Sequence, residues 1–178
     1  VLVDDKLRDE VEGMFEKAHI VLTNKEKRKM EYTDFGMGNV YEEGMEIVIY
    51  INTDRYCAKD LVLLPHQTCL EHRHPTRPDG TPGKMETFRC RYGKVFLYVE
   101  GEATEAIQGK VPEKNKQWYT VMHEIVLNPG EQYTIQPNTR HWFQAGAEGA
   151  IVSEFSSPSD DATDIYTNPY MKRTPADR

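Results

Sequence analysis

The sequence predicts a mainly β fold, a sandwich or barrel, with helix confined to its start. Three observations carry this. Apolar residues recur at helical spacing only near the N-terminus. From residue 45 to residue 156, short runs rich in Val, Ile, Tyr and Phe follow one another, with Gly, Pro and Asn between them. About nine such runs in one chain favour a sandwich or barrel over a parallel α/β sheet.

Each element has its own signal. Asp4 and Asp5 are candidate N-caps, and Leu7, Val11, Met14, Phe15 and Ala18 then recur at helical spacing. "TNKE" (23–26) has the form of a capping box, so a second short helix starts near Asn24. "DFGMGN" (34–39) ends it with two glycines. Strands are expected at "MEIVIYIN" (45–52), "DLVLLP" (60–65), "QTCLEHRH" (67–74), "METFRCRY" (85–92) and "KVFLYVE" (94–100). Four more follow at "WYTVMHEIVL" (118–127), "EQYTIQ" (131–136), "HWFQAG" (141–146) and "AIVSEFS" (150–156). Residues 1–38 therefore read as a helical extension packed on a barrel of residues 39–178. The end of that barrel segment is a loop-rich tail expected to dock across it.

Composition narrows the partners. With 178 residues, 38% hydrophobic and 29% charged, the chain has the make-up of a soluble globular domain. A net charge of −7 argues against nucleic acid and membrane surfaces, since no basic stripe faces phosphates. "NKEKRK" (24–29) is the one dense basic run and reads as a solvated helix face. No apolar run has the length of a membrane span, and the first residues lack signal-peptide order. Three cysteines, Cys57, Cys69 and Cys90, at irregular spacing fit a reducing cytoplasm better than a disulfide framework.

The chemistry gathers in "EHRHPTRPDGTPGKMETFRCRYG" (71–93). In a strand, His72 and His74 project to one face. Glu86 opens another strand, and Phe88 and Cys90 share its face while Arg89 and Arg91 point away. The loop between is long enough to reach a neighbouring strand. A fourth donor, His141, follows a Pro-Gly turn, a strand and a tight turn holding Asn138, a residue that tolerates left-handed backbone. Three imidazoles and a carboxylate suit manganese, iron, cobalt, nickel or zinc. An octahedral ion so held keeps positions open for substrate, the mark of a catalytic rather than a closed site.

These residues resemble the two motifs of the cupin superfamily. The first, His-x-His, a gap, Glu, six residues and Gly, is met by His72, His74, Glu86 and Gly93, with a longer gap than usual. The second runs from Gly130 to His141, with Gln136 and Asn138 where Pro and Gly are usual. The resemblance implies a double-stranded β-helix, a jelly-roll barrel. "QTCLEHRHP", "GKMETFRCRYGKVFLYVEGE", "VMHEIVLNPGEQYTIQPNTRHWFQAG" and "VSEFSSPSDDATDIYTNP" resemble the D-lyxose isomerase family of cupins. That implies a manganese-dependent homodimer interconverting D-lyxose with D-xylulose, and D-mannose with D-fructose.

Such an isomerisation moves a proton between C2 and C1 of the sugar through a cis-enediolate. It needs a Lewis acid, one base and a donor near the developing oxyanion. Glu154 is the expected base, on a strand after His141 with apolar neighbours. Lys84, two residues before Glu86, shares its inward face and is the expected donor to a sugar oxygen. Asp164, His123 and Trp142 are candidate sugar contacts, although Trp142 and Tyr98 fit the core equally well. His19 and His66 read as structural or surface residues. Two rivals use the same ligands or fold: an iron dioxygenase, and a non-catalytic sugar-binding cupin. The Lys84–Glu154 pair fits a polyol better than the first and serves no purpose in the second.

Overall fold

The computed structural model describes residues 1–172; the last part of the expected tail, 173–178, lies outside them. The opening helix, α1 (Asp5–Lys17), is capped by Asp4, whose carboxylate accepts from the Leu7 amide at 2.9 Å. Its buried face is Leu7, Val11, Met14 and Phe15. Helix α2 (Asn24–Lys29) carries the full capping box of Thr23 and Glu26. It stops well before the glycines at 36 and 38, because β1 (Glu31–Thr33) already pairs antiparallel with β2 (Met45–Asn52). The N-terminal segment is thus not purely helical.

The remaining strands are β3 (Cys57–Leu63), β4 (Thr68–Arg73), β5 (Glu86–Val99), β6 (His123–Leu127), β7 (Gln132–Ile135), β8 (His141–Ser156) and β9 (Ile165–Tyr166). Two expected pairs of strands are each one long strand. In β5, Gly93 takes φ +69, and a Cβ there would lie 1.9 Å from the Gly149 carbonyl oxygen, so the chain bends without breaking. In β8 the equivalent bend falls near Gly149, at φ +78. The start of the expected strand 118–127 is instead the end of a 3-10 turn, Glu113–Trp118.

These two bent strands build a curled antiparallel jelly roll. The C-terminal half of β8 (150–156) lies between β3 and the N-terminal half of β5, extending to β2, β1 and β7. The N-terminal half of β8 (141–145) lies between β4 and the C-terminal half of β5, extending to β9 and β6. Between the two layers, Ile47, Leu61, Leu63, Leu70, Phe88, Leu97 and Phe143 form the core. Helix α1 covers the outer side of the first layer, where its apolar face meets Val48, Val62 and Ile151. Among the described residues no helix is long and apolar enough to cross a membrane.

Candidate metal centre

The second layer presents the imidazoles and the first layer presents the carboxylates and ammoniums. His72 and His141 are direct cross-strand partners on β4 and β8. His74 follows β4. The loop from there returns to Lys84 and Glu86 at the start of β5. Asn138, at φ +59, makes the left-handed turn before His141, and its amide donates to the His74 carbonyl at 2.9 Å. Its side-chain oxygen accepts from Arg73 at 2.6 Å. Asparagine is thus suited to the glycine position of the second motif.

All four expected donors converge. His72, His74, Glu86 and His141 are buried, and one atom of each lies within 4.8 Å of the others. Two donors on opposite sides of one ion, each about 2.2 Å from it, lie about 4.4 Å apart. The imidazoles are aimed from behind. His72 Nδ1 meets the Leu70 carbonyl at 2.7 Å and His141 Nδ1 the Thr139 carbonyl at 2.8 Å. His74 Nδ1 meets Asp164 Oδ1 at 2.5 Å. With Nδ1 so committed, each Nε2 turns toward the cluster, where that of His74 meets Glu86 Oε1 at 3.2 Å. His141 Nε2 is buried and, among the described residues, has no partner in hydrogen-bonding geometry, although Glu86 Oε1 is 2.9 Å away. Two acceptors this close leave a polar atom that a cation would satisfy, so the residues fit a divalent ion.

Electrostatics agree with that donor set at His72 and Glu86, whereas two carboxylates hold His74 in its protonated form. Burial, then the neighbouring His141 and His74, hold His72 well below the usual histidine range, as a neutral ligand requires. Burial alone would lower His74, but Glu86 and the hydrogen bond to Asp164 outweigh it and hold it at about 9. Burial would raise Glu86, yet Lys84 and His74 keep it well below the usual carboxylate range.

Beside the donors runs a chain of alternating charge. Lys84 Nζ is 2.7 Å from Glu86 Oε2 and 2.9 Å from Glu154 Oε1. Burial opposes its charge, but Glu154 and Glu86 hold it well above the usual lysine range. Lys59, which sequence reasoning missed, places Nζ 3.7 Å from Glu154 Oε1 and 3.2 Å from Ser159 Oγ. The signal was available: Lys59 alternates with Cys57, Leu61 and Leu63 on one face, but the expected strand began one residue too late.

Two of the three expected sugar contacts stand elsewhere. Trp142 follows His141, so alternation turns it to the other face. It stacks on Tyr98 with ring centroids 3.8 Å apart and donates Nε1–H to the Val121 carbonyl at 2.8 Å. His123 lies on β6, beyond Val99 of β5, two strand spacings or roughly 10 Å from His141. Its Nδ1 is tied to the Glu102 carbonyl at 2.9 Å. Asp164 does border the site, and its Oδ1 is engaged by His74. His19 and His66 are exposed, and Cys90 is buried on the face of Glu86 and Phe88.

Comparison with known proteins follows the same lines. The family model described as D-lyxose isomerase matches residues 24–176. A D-lyxose/D-mannose isomerase of Thermosediminibacter oceani is 60% identical over 170 residues, covering 96% of this chain and 93% of that protein. A D-lyxose ketol-isomerase of Cohnella laeviribosi is 62% identical over 168 residues, covering 94% and 92%. Among solved structures, the L-ribose isomerase of Cellulomonas parahominis superposes with a TM-score of 0.74 at 13% identity, covering 96% of this chain and 93% of that one. At that identity the likeness speaks for the fold alone.

Proposed function

The chain belongs to the D-lyxose isomerase family, and from that membership we propose that it is a metal-dependent aldose–ketose isomerase acting on D-lyxose, to give D-xylulose, and on D-mannose, to give D-fructose. The observation that carries this reading is the buried His72, His74, Glu86 and His141 cluster with the Lys84–Glu154 pair beside it. A divalent ion held there, manganese by family resemblance, would supply Lewis acidity toward two adjacent sugar oxygens.

The chain's own residues do the rest. Glu154 removes the proton from C2 and returns it to C1 on one face of the sugar's cis-enediolate. Lys84, charged throughout, donates to the oxygen that gains negative charge. Phe88, Phe143, Ile47 and Leu61 give that space apolar walls, which strengthens both interactions. We also assign a homodimer and a cytoplasmic setting. Three buried thiols without a disulfide support the latter. Exposed Tyr50, Ile51 and Phe155 on β2 and β8 offer apolar surface to a second copy.

The test is NMR of D-lyxose, D-mannose and D-ribose incubated with the protein and manganese in deuterated water. Ketose from lyxose with deuterium at C1 is the expected result; no ketose from any of the three rejects the reading. Glu154→Gln is expected to keep bound manganese and lose at least about a hundredfold in kcat. Unchanged turnover removes Glu154 from the proton route.

A further inference from the structure

The two strand-borne imidazoles and the third one are oriented by different means. His72 and His141 are fixed by backbone oxygens two residues away on their own chain segments, Leu70 and Thr139. His74 is fixed by a group ninety residues on: Asp164, whose side chain is only 7% exposed. That residue lies between the 3-10 turn Asp161–Thr163 and β9. The surrounding tail is laid against β4. Ile165 and Tyr166 pair with Arg73 and His72, and the Tyr166 ring stacks on the His72 ring with centroids 5.1 Å apart. Thr167 donates its amide to the Glu71 carbonyl and its hydroxyl to the Glu71 carboxylate at 2.6 Å.

The space this leaves is small. Asp161, Asp164 and Tyr166 help wall a cavity of about 30 Å³ between them and Lys84, Glu86 and Glu154. Asp164 thus joins the tail to the metal centre: were the tail to lift, His74 would lose the partner that orients it.

We infer that Asp164 is a positioning residue for the metal centre, and that docking of the tail and binding of the divalent ion are thermodynamically linked through its contact with His74. The inference rests on the metal reading above. An ion on His74 Nε2 favours the ring orientation and Nδ1–H that Asp164 accepts from. Reciprocity then requires that the ion hold the tail down and that the docked tail tighten the ion.

Two measurements test it. Hydrogen exchange of residues 157–168, followed by mass spectrometry in the metal-free and manganese-saturated protein, should slow severalfold on adding manganese. Competition with a chelator should give Asp164→Ala about a tenfold or greater loss of manganese affinity. Asp164→Asn, which keeps an acceptor but not the charge, should recover part of that loss. Unchanged tail exchange in the wild type, or wild-type manganese affinity in Asp164→Ala, overturns the linkage while leaving the isomerase reading intact. A wild-type protein that binds no manganese overturns both. The wild-type exchange measurement does not depend on any variant folding.

Discussion

Removing one imidazole is the sharpest probe at the scale of single residues. His141 is fully buried and its Nε2 has, among the described residues, no partner in hydrogen-bonding geometry, so His141→Ala is expected to abolish stoichiometric manganese binding and activity together, read by metal content after desalting. Retained metal would break the proposed ligand set. Lys59 is the complementary case, a buried ammonium that meets the same Glu154 oxygen as Lys84. Lys59→Met is expected to lower kcat by about tenfold, about 1.4 kcal/mol, with metal content unchanged. Unaltered kcat would reduce Lys59 to a tether for Ser159.

Which residues were legible follows from alternation. His72, Glu86 and Lys84 could be assigned to an inward face because parity along a strand is a property of the local chain. The same rule should have separated Trp142 from His141, which are adjacent. It could not place His123, whose distance from the centre depends on how many strands intervene.

At the scale of elements, the bend residues mattered most. Gly93 and Gly149 read in sequence as turns that end strands. In the fold they let β5 and β8 each cross from one layer to the other. A positive φ marks a change of direction but not whether pairing resumes beyond it, and pairing is decided by the neighbouring strand. Short elements were the hardest: β1 and β9, three and two residues long, have no period to read. The capping box and the apolar face of α1 were legible because both depend on residues within a turn of each other.

We propose that the segment 1–38 covers the barrel rather than forming an independent unit. Leu7, Val11, Met14 and Phe15 are buried against Val48, Val62 and Ile151. Four such side chains at about 1.5–3 kcal/mol each rival a typical whole-domain stability of about 5–15 kcal/mol. A chain lacking residues 1–38 is therefore expected to show no cooperative thermal transition by circular dichroism. A cooperative melt near the full-length midpoint would mean the barrel stands alone.

For the whole molecule, Glu46 sets a pH dependence unrelated to the metal centre. It is fully buried on β2, with Oε1 accepting from Gln67 Nε2 at 3.0 Å and Oε2 without a partner among the described residues. Burial pushes its carboxyl up to about 8, only partly offset by Gln67. The folded protein thus keeps a proton that the unfolded chain releases near the ordinary glutamate value. Its contribution to stability is complete below that value, falls as pH rises, and is lost above about 8. Glu46→Gln, which cannot ionise, is expected to melt higher than wild type at pH 8.5 and to lose that advantage at pH 4. A constant difference between the two across that range would mean Glu46 does not titrate there.

By itself the sequence determined the strand-rich character, the two capped helices, the motif spacing and the inward parity of His72, Lys84 and Glu86. These depend on near neighbours in the chain: side-chain parity along a strand, capping within one turn, and the tolerance of Asn138 for left-handed backbone. Only the tertiary structure decided that β5 and β8 run through both layers, that Lys59 faces Glu154, and that Asp164 reaches back to His74. Those outcomes are set by which strands pair and how two sheets face each other across a core, and residues far apart in the chain carry no local signal of the distance that packing brings them to.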